Sequence, residues 1–373
     1  MWVVWTRRSY NEPISRLEIT NVLTHVLPHE SITAAAAALF EAAGAADGNA
    51  RLTAEQLVTS SLMGHDSHGV MRVPEYLDLV VKGAIVPGAQ MRVDQKSPTT
   101  AVVDCGHHFG PVGAHHAMCQ AIRCAGEHRV ACAITHRCNH VARLGASVQQ
   151  AADAGMIALA TCNSPVYGHF VLPWGGKEGR LATNPIAYAV PTGGDPIVAD
   201  ISTSVVPEGK IRFHKNQGKP LLAGWVLDAG GRPTTDAAQF YGPPMGGILP
   251  LGGPAGHKGY ALGLLVEILG SALAGISSTD ESVVGNGLCF IVIDPSTFCP
   301  IDRFRQLMDE LVRYVKSSPP VDGVQEVLVP GELEFRTLRE RKSAGIPVDP
   351  LTLRAIADHA RRLQVDVGPV FGG

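Results

Sequence analysis

The spacing of apolar residues changes character along the chain. Two Ala/Leu-rich windows, 32–44 and 53–64, flank a polar break at Ala46-Asp47-Gly48-Asn49 and predict a pair of helices. The alanine run Ala34–Ala38 allows the first of them to approach its neighbours closely. Pro74 suits a first turn, so a third helix is predicted from about there to Gly83. Beyond it the period shortens. The β-branched run TTAVVDC at 99–105 predicts a strand, 111–128 a helix and RVACAIT at 129–135 another strand. A loop over His136–Arg143, a helix at 145–154 and a strand over Met156–Cys162 complete an alternation that predicts a parallel or mixed sheet with covering helices.

Residues 163–256 are rich in glycine and proline, with short strands near Ile186–Val190 and Ile197–Asp200. This stretch is long for loops alone and is expected to fold over a binding site. A helix over 258–275, interrupted by Glu267, reads as buried, and a strand over Gly287–Ile293 follows. A final helix at 301–316 carries Phe304, Leu307, Met308, Leu311, Val312 and Val315 at helical spacing, so one face is expected to dock on the body. These elements predict an α/β fold: a mixed sheet with helices on both faces and a helical N-terminal region. No repeat or low-complexity linker marks a clean boundary. The expected division is 1–100, a helical N-terminal region; 101–300, an α/β core; and 301–373, C-terminal helices and a tail packing back on the N-terminal region.

Composition adds exclusions. At 373 residues the chain exceeds what one core usually organises, and two lobes or one large domain with appendages are expected. Hydrophobic residues make up 45% and charged residues 17%, an apolar balance that often hides part of the surface in an oligomer. A net charge of −3 gives no footprint for nucleic acid or an anionic membrane. Eight cysteines without a Cys-x-x-Cys read as reduced, mostly buried thiols of a cytoplasmic protein. The opening MWVVWTRRSYNEP lacks the order of a signal peptide and reads as a tail or an arm across a partner subunit; no stretch reads as a membrane span.

The familiar nucleotide and nucleophile motifs are absent. No G-x-G-x-x-G occurs; Gly285 and Gly287 are followed by Phe290 where the third glycine belongs. The Gly-Lys pairs at 176–177, 209–210 and 218–219 lack the Ser or Thr of a phosphate loop. There is no G-x-S-x-G. Fifteen histidines raise the question of metal, but His136 and His140 lie in HRCNH without the glutamate of H-E-x-x-H, and His107/His108 and His115/His116 read as decoration of a helix approach and its surface. A metal site is not expected.

Chemistry concentrates in GHDSHGVMRVPEY, residues 64–76. His68 can give and take a proton near neutral pH, and Ser67 can orient it or meet a substrate oxygen. If the segment is helical, Arg72 lies on the same face as His68, and a guanidinium there can grip a carboxylate. An acid/base one turn from a carboxylate clamp suits a 2-hydroxy or 2-oxo acid. The same residues also fit a capped helix start, with Asp66 or Ser67 as the cap and Arg72 exposed.

That string closely resembles the malate/L-lactate/ureidoglycolate dehydrogenase family, which lacks a Rossmann fold and has relatives that reduce diketogulonate, sulfopyruvate and cyclic imino acids. The resemblance continues through CNH at 138–140, NSP at 163–165, PWGGKEGRLATNPIAYAVPTGG at 173–194, VADISTS at 198–204, GK at 209–210, GHKGYALGLLVEILGSALAG at 256–275, VPGE at 329–332 and GIPV at 345–348. It implies that His68 protonates the substrate oxygen as a nicotinamide delivers hydride, with Ser67 its hydrogen-bonding neighbour and Arg72 the clamp. It implies His140 as a second active-site histidine, able to support or replace His68. For NAD or NADP it implies Ser164, Asp200, Ile201, Ser202, Lys258, Gly331 and Glu332, a non-Rossmann nucleotide site and a homodimer. On that reading residues 1–100 hold the catalytic segment and 101–300 the cofactor core. Lys258, in a glycine-flanked turn opening a helix, can face a pyrophosphate together with the helix N-terminus, or be a solvated lysine.

Two departures stand out. Many relatives have glycine where Ala142 stands; the neighbouring Arg143 can contact substrate or cofactor phosphate, or lie on the surface. Imino-acid reductases of the family carry aspartate where Lys210 stands. The expected function is therefore NAD(P)-dependent interconversion of a small 2-oxo and 2-hydroxy acid. A cyclic imino-acid reductase and a metal-dependent hydrolase are the alternatives.

Overall fold

Small side chains spaced along facing surfaces pair the first helices of the structure, a computed structural model that describes residues 25–368. The expectation for the opening tail lies outside these residues. In chain order the elements are β1 (His25–Leu27), α1 (His29–Ala42), α2 (Asp47–Leu62), α3 (Arg72–Val81), β2 (Arg92–Ser97), β3 (Thr100–Asp104), α4 (Gly110–His128), β4 (Val130–His136), α5 (Leu144–Asp153), β5 (Ile157–Cys162), β6 (Ile186–Val190) and β7 (Ile197–Ile201). There follow α6 (Glu208–Asn216), β8 (Val226–Leu227), β9 (Pro233–Thr234), α7 (Ala237–Tyr241), β10 (Gly247–Ile248), α8 (Gly256–Gly270), β11 (Leu288–Ile293), α9 (Ile301–Lys316), α10 (Glu332–Ala344), β12 (Ile346–Val348) and α11 (Pro350–Leu363). The described chain falls into two units: 25–82, 190–198 and 295–368 form the first, and 83–189 and 199–294 the second.

In the first unit α1 buries Ile32, Ala35, Ala36, Leu39 and Phe40 against α2, which buries Ala50, Ala54, Leu57 and Val58. The helix at 301–316 is not the last. α10 packs on α2, α11 packs on α1 and α3, and β1 pairs antiparallel with β12. The expected docking of 301–316 also needs correction. α9 has the expected bounds and an apolar stripe, yet none of its residues is buried. α10 and α11, through Phe335, Ile356 and Ala360, take the places over α2 and α3 instead.

In the second unit a seven-stranded sheet runs β2-β3-β4-β11-β5-β6-β7. The β3–β4 pair is parallel; β2–β3, β4–β11, β11–β5 and β5–β6 are antiparallel. β4 and β5 thus run the same way without touching, and β11 fills the slot between them. α4 covers β3, β4 and β11, α5 covers β5, and α8 packs on β5 and β11. The predicted helix over 258–275 stops at Gly270, after which Ser271 leaves helical geometry and a short 3-10 turn follows at Ala272–Ala274. The Gly/Pro-rich stretch is not loop alone. β8, β9 and β10 form a small sheet, and Val206, Ile211, Leu221, Val226, Phe240 and Ile248 build a core of their own there. Among the described residues no helix is long and apolar enough to cross a membrane.

Candidate active site

His68 does not share a helix with Arg72. Asp66–His68 form a single 3-10 turn, and α3 starts only at Arg72 with Met71 as its cap, so neither Asp66 nor Ser67 caps it. The side chains still converge. Ser67 Oγ lies 2.9 Å from His68 Nδ1, and Arg72 Nε donates to the Ser67 carbonyl at 2.7 Å. Arg72 Nη1 pairs with Glu75 at 2.6 Å, so Glu75 occupies part of the guanidinium that the clamp role requires. Burial first, then the Arg72 charge and then His65, push the His68 imidazole down to about 3, although the residue keeps some solvent exposure. Burial and the neighbouring cation both hold the imidazole neutral, the form that can accept a proton, while lowering its basicity.

Tight packing sets the turn. A Cβ on Gly69 would lie 2.0 Å from Ser61 Oγ, so only glycine lets the chain pass α2 there, and Ser61 Oγ accepts from Val70 N at 3.0 Å. From the other side α10 staples it: Arg341 pairs with Asp66 at 2.7 Å and donates to the Ser61 carbonyl at 2.5 Å, while Glu334 lies 3.6 Å from His65. Gly331 and Glu332 open this same helix. Gly331 caps it in the left-handed region, φ 93°. The Glu332 carboxylate meets Lys316 at 2.5 Å, the Val329 N–H and Arg336. Burial alone would raise it, but these three partners outweigh burial and hold it below the usual range.

In the second unit His140 sits on the loop after β4. Asn139 Nδ2 faces the carbonyls of Ala84, His107 and His108 at 3.1, 2.8 and 3.0 Å and pins that loop. His140 Nδ1 accepts weakly from Ala142 N at 3.4 Å. Ala142 has φ 57°, in the left-handed region, and alanine there is strained by about 1 kcal/mol. Arg143 is buried rather than on the surface. Asp200 Oδ2 accepts from Gly145 N at 2.6 Å and so caps the start of α5. Ile201 is exposed, and Ser202 Oγ donates to the Ser204 carbonyl. Lys258 is exposed in the first turn of α8. His136 Nε2 is taken up by the Ala274 carbonyl at 2.7 Å.

Ser164 lines a cleft with Asn163, Ser271, Ser277 and Asn286. Beneath it lies a residue that sequence reasoning set aside: Glu267, whose carboxylate receives Asn163 and Asn184. Its signal was present as a lone acid in an apolar helix. Arg341 was missed too, with no local signal to find it. Hydroxyls and amides around Ser164, and the exposed Lys258 at a helix N-terminus, fit a polar, anionic cofactor.

Comparison with known proteins gives the class. The sequence model for malate/L-lactate dehydrogenase matches residues 27–357, so the chain belongs to that family. It is 33% identical over 335 residues to a malate dehydrogenase of Pyrococcus horikoshii, covering 87% of this chain and 91% of that protein. The solved structure of malate dehydrogenase from that organism superposes with a TM-score of 0.83 at 30% identity, covering 92% of this chain and 97% of the other. A delta1-piperideine-2-carboxylate reductase from Pseudomonas syringae superposes with a TM-score of 0.79 at 28% identity, covering 90% and 100%. Family membership implies a nicotinamide cofactor.

Proposed function

We propose that this protein interconverts a small 2-hydroxy acid and the matching 2-oxo acid with NAD or NADP. The observation that carries the reading is the Ser67–His68–Arg72 cluster: one imidazole, oriented through Nδ1, beside one guanidinium. When bound, the nicotinamide supplies the acceptor or donor of hydride at its C4. His68 takes the hydroxyl proton at Nε2 during oxidation and returns it during reduction, with Ser67 holding the ring. Arg72 releases Glu75 to grip the substrate carboxylate, which turns binding into orientation. A bound carboxylate also screens the Arg72 charge from His68, so the imidazole accepts a proton more readily in the complex. His140 supports or replaces His68. Ser164, Ile201, Ser202, Lys258 and Gly331 hold the cofactor, while Asp200 and Glu332, already engaged, shape its walls. The protein acts in the cytoplasm as a homodimer. Leu262, Leu264, Leu265 and Ile268, all 41–48% exposed on α8, support burial against a second copy, which sizing of the purified protein tests.

The test is to follow NADH and NADPH absorbance with malate, lactate, sulfopyruvate and their oxo or hydroxy partners, with and without chelator. Chelator-insensitive cofactor oxidation by a 2-oxo acid is expected. Because His68 is held at about 3 in the free protein, log(kcat/KM) for reduction should fall by about one per pH unit already from about pH 5 upward, with no plateau below neutrality. A flat profile would mean that His68 does not deliver the proton. The likeness to the piperideine-carboxylate reductase favours imino-acid reduction as the second reading. The exposed Lys210 of α6, where aspartate is expected in such reductases, weighs against it.

A further inference from the structure

α8 is apolar almost throughout, and Glu267 is its only acid. It is 5% exposed. A carboxylate in such surroundings is costly unless fully hydrogen-bonded. Its partners are all neutral: Asn163 Nδ2 donates to Oε1 at 2.8 Å, Asn184 Nδ2 to Oε2 at 2.9 Å, and Ser271 Oγ reaches Oε1 at 3.4 Å. Backbone groups of fixed role orient both amides. Asn163 Oδ1 accepts from Gly287 N at 2.8 Å, and Asn184 Nδ2 also donates to the Gly263 carbonyl at 2.9 Å. Both therefore turn N–H groups toward position 267. A carboxylate accepts at both oxygens; a carboxamide accepts at one end and donates at the other.

The two asparagines come from segments far apart in sequence. Asn163 precedes Ser164 and lines its cleft, as does Ser271. The Asn184 carbonyl accepts from Thr203 Oγ1 at 3.0 Å, one residue beyond Ser202. One side chain thus ties the Ser164 and Ser202 segments to the helix that begins beside Lys258. We infer that Glu267 is a positioning residue for the nicotinamide cofactor, setting the Ser164 cleft through Asn163 and the Ser202 segment through Asn184. The inference rests on the functional reading above.

The experiment uses full-length protein and compares cofactor KM, kcat and thermal midpoint for wild type, Glu267→Gln and the double variant Glu267→Gln/Asn163→Asp. In the single variant an N–H faces an N–H, and cofactor KM should rise about tenfold or more while kcat changes less than about threefold. In the double variant the carboxylate introduced at position 163 still accepts from the Gly287 N–H. It now also accepts from the carboxamide introduced at position 267, whose carbonyl serves Asn184. Cofactor KM should then return to within about threefold of wild type. An unchanged KM in Glu267→Gln overturns the inference. So does a raised KM that the double variant fails to restore, or a fall in kcat that tracks lost stability. If Glu267→Gln does not fold, the double variant decides alone: wild-type-like folding and KM support the inference, and failure overturns it. A wild-type protein that turns over no 2-oxo or imino acid with either cofactor removes the functional reading itself, and this inference with it.

Discussion

The two candidate functional segments are held by opposite means. In the first unit the His68 turn is clamped by ion pairs that water reaches: Asp66 is 50% exposed beneath Arg341 and Glu75 is 47% exposed beside Arg72. In the second unit the Ser164 and Ser202 segments hang on buried, neutral donors around Glu267. Exposed pairs contribute little each and weaken with salt, whereas a buried network acts as a unit and fails when one member is mismatched. On the proposed function, the turn that would handle the proton is held by the weaker contacts and the wall that would hold the cofactor by the buried network.

The largest effect separates chemistry from either kind of support. His68→Ala should lower kcat/KM by about 10²–10⁴-fold with the thermal midpoint nearly unchanged, read by steady-state kinetics and calorimetry. A near-normal rate would show that the turn serves structure alone.

Acid acts on a depressed histidine in each unit, His68 and His108, and a substitution isolates the share of the second. His108 of the second unit is fully buried, and burial first, then His116, push it down to about 4. Below pH 6.5 the unfolded chain binds a proton that the folded chain refuses, so stability falls as pH drops from about 6.5 to about 4, by about 3 kcal/mol. His108→Gln lacks this titration, and its urea midpoint should depend less steeply on pH across that window. Parallel slopes for the two proteins would refute the assignment.

The smallest effect belongs to the Arg341 staple, a half-buried guanidinium on an exposed carboxylate. Arg341→Ala should cost about 1 kcal/mol and a few-fold in kcat/KM, and the difference from wild type should shrink in about 0.5 M salt. A loss indifferent to salt would mean that the turn, too, rests on buried contacts.

What the sequence made legible follows the same division. Apolar period revealed α1, α2, β3 to β7 and β11 because each buries one face. β2 was missed because all but the last of its six residues are exposed, leaving no alternation to see. α10 and its Arg341 were missed because Phe335 is its only buried residue and Arg341 pairs with an acid 275 positions away. The cluster at 65–72 was legible because its members are adjacent in sequence. Its geometry was misjudged: a 3-10 turn and Gly69 stand where one helix was imagined. Glu267 was noticed only as an interruption, since its partners lie 104 and 83 residues away.

The slot between β4 and β5 has a consequence for synthesis. Leu288 of β11 follows Cys162 of β5 by 126 positions, so both neighbours leave the ribosome long before the strand that joins them. At about 5–20 residues per second, several seconds pass in which two apolar strand edges stand open in the nascent chain. The middle of this sheet is the last part of it to be made, and any chain cut short before β11 carries those bare edges as an invitation to aggregate.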